Sequence, residues 1–456
     1  MNKVSRRKLL KSTALASLGA QVAPALVRAA PCDTLNVAAV GCGMMGSADI
    51  NSAAQAGANI VALCDVDDDR AAPVYHAFPG AKRYADFRRM LDVEKNIDGV
   101  IVATPDHSHA VVGMAAMQLG KDIYCEKPLA HTLYETRILT EAARQYGTVS
   151  QLGNQGHSFK AIREFCDCIW SGAIGQVREV HAVQSAFGYS RIAALPTIDD
   201  DHPIPQNLNW GLWLGPAPHR KYSPLYVPSA WRGWRQFGTG NMGDFVCHIL
   251  DPVFWALDLG APASVTAAAH DYDPIKHAET FPASSKIRFE FPARPDKPPV
   301  TVTWYDGDHF IPPQAADIPD PGWVAGKPVG ALVVGDKGKI VYGSHAARGW
   351  RILGDGKMDE YLNGRVLDME QNVPGLPPNL PHVADWLRGS KEGVGGALPG
   401  SNFDYGGPLT EVAMLGDIAL CLLGTELKWD SEHMTFPNHP AANQYLHMQY
   451  RDGWTL

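Results

Sequence analysis

A short apolar strand that runs directly into a glycine turn, and from there into a helix, constrains this chain most. Residues 35–40 have strand character, Gly41-Cys42-Gly43-Met44-Met45-Gly46 follows without a gap, and residues 48–56 have helical composition. An isolated G-x-G-x-x-G is weak evidence, but one set between a strand and a helix has a physical meaning. Gly41 permits the tight turn, Gly43 lets the backbone approach a pyrophosphate, and Gly46 allows the helix to pack closely on the sheet. The helix N-terminus then attracts the anion, with Met44 and Met45 completing the turn around it. A second strand, Asn59–Cys64, ends in Asp65, nineteen residues after Gly46, where a carboxylate can accept hydrogen bonds from a ribose diol. Asp67, Asp68 and Asp69 follow and would repel a 2'-phosphate, so the expected dinucleotide is NAD rather than NADP.

The alternation continues beyond this unit. Residues 98–103, 122–125 and 148–152 read as short apolar strands, and residues 110–119 and Leu133–Tyr146 as helices. Thr132 and Glu135 form a capping-box pattern at the start of the last helix. Repeated strand-helix units imply an α/β fold with a doubly wound parallel sheet. No internal repeat is present.

Length and composition agree. The chain has 456 residues, 45% apolar and 19% charged, which suits two or three globular domains and excludes disordered and collagen-like classes. With 40 Lys and Arg against 48 Asp and Glu, the net charge of -8 leaves no basic footprint for nucleic acid. The N-terminus differs from the rest. Lys3, Arg6, Arg7, Lys8 and Lys11 precede an uncharged, Ala/Leu-rich stretch that closes on Val27-Arg28-Ala29, the pattern of a cleaved export signal. Ser5-Arg6-Arg7-Lys8-Leu9-Leu10-Lys11 resembles a twin-arginine signal. Residues 1–29 are therefore expected to be removed after engaging the twin-arginine machinery, leaving a periplasmic or secreted protein of net charge -14. The apolar stretch is too short for a membrane anchor.

Two further motifs fall at strand ends. Thr104-Pro105-Asp106-His107-Ser108-His109 follows the strand at 98–103, and Glu126-Lys127-Pro128 follows the strand at 122–125, both at the sheet edge where ligands of doubly wound folds bind. Beside a cationic nicotinamide, the Lys127 ammonium would have its pKa pushed down toward the range useful for proton transfer. His107 and His109 lack a third ligand, and no Cys/His spacing among the eight cysteines matches a zinc site, so no metal is expected. Cys166 and Cys168, two apart on a helical stretch at 162–170, point to different sides, and Cys42 and Cys64 suit buried thiols.

The set Gly41 to Gly46, Asp65, Thr104-Pro105 with His109, and Glu126-Lys127-Pro128 resembles the glucose-fructose oxidoreductase, inositol dehydrogenase and rhizopine-catabolism (Gfo/Idh/MocA) family. The resemblance implies a Rossmann domain over 35–153 and, over 154–456, an α/β domain with a large, open, mostly antiparallel sheet whose C-terminal helix packs back on the first domain. It also implies a homo-oligomer, and tightly held NAD used to oxidise or reduce a carbon of a sugar or cyclitol. The family's second motif is matched by Asp244 and His248, whose four-residue spacing puts both on one helix face. Implied roles follow: Lys127 orients the reacting hydroxyl, His248 exchanges its proton, and Asp244 positions the His. Gly153-Asn154-Gln155-Gly156-His157 resembles the crossover between domains, from which Gln155 and His157 can reach cofactor and substrate. The tryptophan-rich stretch around Trp231 and Arg232 offers stacking faces and guanidinium donors for a sugar, and Tyr405 either contacts substrate or packs. The proline-rich segments at 196–228 and 292–328 are expected loops, able to cover a site. The expected activity is an exported NAD-dependent sugar or glycoside oxidoreductase. A glycoside-cleaving enzyme using NAD transiently and a non-catalytic sugar sensor are the other two readings.

Overall fold

The computed structural model describes residues 34–313, 328–367, 377, 379–393 and 395–456. The export-signal reading falls outside them. Six strands, β1 (Asn36–Val40), β2 (Asn59–Cys64), β3 (Lys82–Tyr84), β4 (Gly99–Val102), β5 (Asp122–Glu126) and β6 (Ser150–Gly153), form a wholly parallel sheet in the order β3-β2-β1-β4-β5-β6. The inner strands are near-continuous apolar runs because helices cover both faces. The strand β3, Lys-Arg-Tyr at an exposed edge, carries no apolar signal, and the sequence reading passes over it. Strand order reverses between β1 and β4, which opens a crevice at their carboxyl ends. The helix Leu133–Tyr146 has both bonds of its capping box, and Gly147 ends it in the left-handed conformation, φ 60°.

Eight strands make the second sheet: β7 (Val177–Gln184), β8 (Ser264–Ala269), β9 (Ser285–Phe291), β10 (Val300–Asp306), β11 (Val329–Gly335), β12 (Lys339–Gly343), β13 (Arg348–Ile352) and β14 (Leu427–Lys428). Their order is β13-β12-β11-β7-β10-β9-β8-β14, antiparallel at every pairing except β7 with β10. One apolar cluster spans both sheets, joining Val100, Val102 and Ile123 to Val180, Ile287, Val302 and Trp304. The other face of the parallel sheet is sealed by the helix Leu380–Glu392, whose Trp386 lies against Tyr124. The helix Phe403–Leu420 packs against Leu133–Tyr146, against Gly240–Ile249 and against β8, so it bridges the two layers. Arg137 of the helix Leu133–Tyr146 clamps Glu411 of the helix Phe403–Leu420 through two bonds of 2.6 and 2.8 Å.

Two buried histidines hold loops across this junction. His382 Nε2 donates to Leu152 O at 2.7 Å while its Nδ1 accepts from Ser158 Oγ at 2.6 Å. His107 lies between Trp213 O at 3.0 Å and Phe237 O at 3.3 Å. Burial lowers both from an ordinary 6.5, His107 to about 3 and His382 to about 4. Below pH 6.5 the unfolded chain therefore gains protons that the folded chain refuses, and each site should cost about 2 kcal/mol of stability at pH 5. From pH 6.5 to pH 5 the melting temperature of the wild type should drop relative to that of His382→Gln; a difference that does not change with pH would contradict the buried neutral state of His382.

Candidate active site

The cleft lies where the order of the parallel sheet reverses. Gly41, φ 90°, is boxed in by the Ala103 carbonyl, and a Cβ on Gly46 would run into the Gly41 carbonyl, so turn, helix and β4 touch backbone to backbone. Helix Met44–Gln55 is capped by Gly43 with no side-chain bond and has no acid in its first turn. Its N–H groups are thus left for an anion. Gly41, Gly43, Met44, Met45, Asp65, Thr104, Pro105, Glu126 and Lys127 all line this cleft. Asp65 accepts from Cys42 N at 2.7 Å and Asp67 N at 3.0 Å, one bond to each oxygen, which aims its remaining lone pairs without consuming them. A glycine cradle, an uncapped helix start and an oriented carboxylate fit a dinucleotide. Arg70, which the sequence reading passes over, also faces the turn: its Nε is 3.3 Å from where a Cβ on Gly43 would stand.

Lys127, at the end of β5, donates to the Asp244 carboxylate and to Asp244 O at 3.1 Å. Asp244 comes from the helix Gly240–Ile249, accepts from the Tyr189 hydroxyl with its other oxygen, and lies 3.6 Å from Arg232 Nε. Burial opposes charge on Asp244, but Lys127 and Arg232 outweigh it and hold the carboxyl below its usual range. Lys127 is raised in turn, since the depressing effect of burial is exceeded by the Asp244 and Glu126 carboxylates. The downward shift expected beside a cationic nicotinamide is thus opposed by a partner that sequence left assigned to His248. Glu126 itself is pushed up to about 7 by burial. Arg232 stacks over the Trp231 ring at 4.3 Å, and both line the cleft.

His248 follows Asp244 by one turn, yet Asp244 does not orient it. Its Nδ1 is buried without a partner, and its ring lies against that of His345, centroids 3.9 Å apart. Burial, then the proximity of His345 and Lys127, drives its pKa well below the ordinary value. Helical spacing put the two residues on one face, but Lys127 and Arg232 claim the carboxylate.

Four expected ligand contacts are placed elsewhere. His109 sits 2.8 Å from both Pro128 O and Thr104 O and staples the two strand-end loops behind the cleft. His157 Nδ1 bonds Asp251 at 2.9 Å, and Tyr405 OH bonds the same carboxylate oxygen at 2.6 Å, so both close a buried cluster just past the C-terminal end of the helix Gly240–Ile249. Gln155 does not line the cleft, and its Oε1 is buried without a partner. Among the described residues no cluster able to hold a metal ion is found. Cys166 and Cys168 are separately buried thiols. Sequence reasoning also missed Tyr189, His345 and Trp454, which lie outside helices and strands and carry no periodicity.

Comparison with known proteins agrees with this arrangement. Residues 35–154 match a family model described as oxidoreductase family, NAD-binding Rossmann fold, and residues 168–292 match its C-terminal alpha/beta domain. Inositol 2-dehydrogenase 2 of Saccharopolyspora erythraea is 32% identical over 159 residues, 34% of this chain and 47% of that protein. Inositol 2-dehydrogenase of Azotobacter vinelandii is 30% identical over 152 residues, 32% of this chain and 45% of that protein. The aligned part is thus about half the length of these relatives. In fold the chain is similar to levoglucosan dehydrogenase in complex with NADH and levoglucosan, with a TM-score of 0.57 and 19% identity over 87% of this chain and 99% of that one. An inositol dehydrogenase homologue from Azotobacter vinelandii, complexed with NADH and myo-inositol, gives 0.57 at 16% identity over 87% and 98%. The two family models together take in more than half of the chain, with the whole parallel sheet and the first strands of the second, and the chain belongs to the Gfo/Idh/MocA oxidoreductase family.

Proposed function

We propose that this chain is an exported oxidoreductase that oxidises or reduces a hydroxyl-bearing ring carbon of a sugar, glycoside or cyclitol, as a homo-oligomer, with NAD that stays bound through turnover. The observation that carries the reading is Lys127, which reaches from the edge of the glycine-turn cleft to the helix bearing Asp244 and His248. NAD, when bound, supplies the hydride acceptor or donor. Two of the three Lys127 N–H groups are used on Asp244, which leaves the third for a substrate oxygen. Asp244 and Tyr189 keep that ammonium charged and in place. His248, neutral in its buried setting, receives the hydroxyl proton, and Trp231 with Arg232 offers a stacking face and donors to the ring.

Retention of the nucleotide is supported by a cover over the cleft. The proline-rich segment at 196–228 is tied to the end of β2: Asn209 N bonds Val66 O at 2.8 Å, Asp68 N bonds Asn207 O at 3.0 Å, and Asn207 Nδ2 bonds Asp67 at 2.8 Å. From the C-terminal tail, Arg451 bonds Gly215 O at 2.6 Å and Gly211 O at 2.5 Å, and Trp454 lines the cleft beneath Arg88, 4.5 Å above its ring. A twin-arginine route, suggested by residues 5–11, carries folded cargo and would deliver the protein with its nucleotide inside.

Cyclic polyols such as myo-inositol and levoglucosan, with a panel of glycosides, should be followed by nicotinamide absorbance and product mass. Lys127→Met and His248→Ala should keep nucleotide and lose at least about a hundredfold in turnover. Near-normal turnover in either would remove its role. Release of an aglycone without net oxidation would instead favour transient oxidation and cleavage, and binding without either a sensor.

Asp65→Ala should weaken NAD by about 1 to 3 kcal/mol, the range for a charged hydrogen bond, and titration of the wild type should show NAD binding tighter than NADP. The opposite preference would mean that Arg70 outweighs the acids.

Nucleotide extracted from the purified protein and weighed by mass spectrometry should be NAD(H), and Arg451→Ala with Trp454→Ala should lose it on gel filtration. A wild type that arrives empty and works only with added NAD would refute retention.

A further inference from the structure

His345 reaches the site from the turn between β12 and β13, far from any motif. His345, Ala346 and Ala347 all lie in the left-handed region, at φ 58°, 63° and 53°, and none is glycine. Such a run persists only where its surroundings over-determine it, and it points to a function for what it presents. Ala346 and Ala347 are 1% and 0% exposed, and the turn lies so close to the crossover that a Cβ on Gly156 would sit 2.8 Å from Ala346 N. What the turn presents is an imidazole laid on His248, with ring centroids 3.9 Å apart and planes at 22°. Its own Nδ1 is within 2.8 Å of Ser344 Oγ. His248 has no carboxylate to orient it, because Asp244 is engaged by Lys127 and Tyr189, and its Nδ1 is buried without a partner.

We propose that His345 is the positioning residue of His248: its ring sets the plane of the catalytic imidazole and offers a π face to the charge that imidazole takes up in turnover. The proposal rests on the role given to His248 above. When the substrate O–H bond breaks, the proton bonds to Nε2 of His248 and the electron pair stays on the oxygen beside Lys127, NAD being the hydride acceptor that completes the oxidation. The charged and titratable groups facing His248 are His345, Lys127 and His382, and those facing His345 are Lys127, Asp244 and Arg348. Burial and the Lys127 cation keep both rings neutral, His345 with a pKa of about 4, so one positive charge at a time is shared with an aromatic face.

Two variants separate positioning from folding. His345→Asn tolerates the left-handed backbone while removing the ring, and His345→Phe keeps a planar face. The asparagine variant should keep melting temperature, bound nucleotide and KM, lose about ten- to a hundredfold in kcat, and move the acidic limb of its pH profile downward because the aromatic face that stabilises the protonated His248 ring is gone. The phenylalanine variant should recover most of kcat. Independently of any substrate, the His248 ring-proton NMR signal should be shifted upfield by the stack in the wild type and in His345→Phe, and lose that shift in His345→Asn. Wild-type kcat and pH profile in His345→Asn, a loss matched by melting temperature and not recovered by phenylalanine, or an unshifted wild-type signal would each overturn the proposal. A wild type that turns over no polyol would sink the catalytic role of His248 itself, while the NMR measurement would still report on the stack.

Discussion

The ion pair between Lys127 and Asp244 is the joint on which the cleft depends. One partner follows directly on a strand of the parallel sheet and the other sits midway along the helix Gly240–Ile249, so their bond ties the glycine-turn cleft to that helix. The two side chains are only 10% and 14% exposed. A buried charge is tolerable when paired and hydrogen-bonded, and Asp244 gains Tyr189 and Arg232 in addition. Removing one partner from such a pair costs about 3 to 5 kcal/mol, mostly as the penalty on the charge left behind. The pair proposed to serve the chemistry therefore also registers the two layers.

Other polar bonds repeat this division of labour. The shared apolar cluster holds the sheets together but has no preferred direction. Direction comes from groups that must be satisfied: Thr239 on Asp106 at 2.6 Å, His109 between two strand-end carbonyls, and the Asp251 cluster with His157 and Tyr405. Thr239 ties a loop of the cleft to the start of the helix Gly240–Ile249, His109 joins two strand-end loops of the parallel sheet, and the Asp251 cluster joins the crossover to the helix Phe403–Leu420. Together they explain why residues that sequence would assign to ligands serve as its frame.

Much of the fold was legible because its signals are local. The turn from Gly41 to Gly46, the Thr132 cap and the apolar runs of β1, β2, β4 and β5 act over a few residues, and the structure places them close to where periodicity did. β3 was not legible, since an exposed three-residue edge strand is defined by its neighbour Ala62–Cys64 and not by its own composition. The cleft edge was legible too, as strand ends of a parallel sheet all open on one side. Gln155, His157 and His109 were misplaced because proximity along the chain to a cleft says nothing about which way a side chain turns, and of the two readings of Tyr405 the structure shows the packed one.

By itself the sequence determined the parallel nucleotide-binding layer, the anion-attracting helix start and the fact that Asp244 and His248 share a helix face, because these follow from backbone sterics and from spacings of a few residues. Only the tertiary structure decided who partners whom. Asp244 serves Lys127 and Tyr189 instead of His248, and His248 instead meets His345 from a turn almost a hundred residues away. Charge pairing and stacking act through space between elements whose approach is set by the packed core, and no periodicity in the chain records that approach.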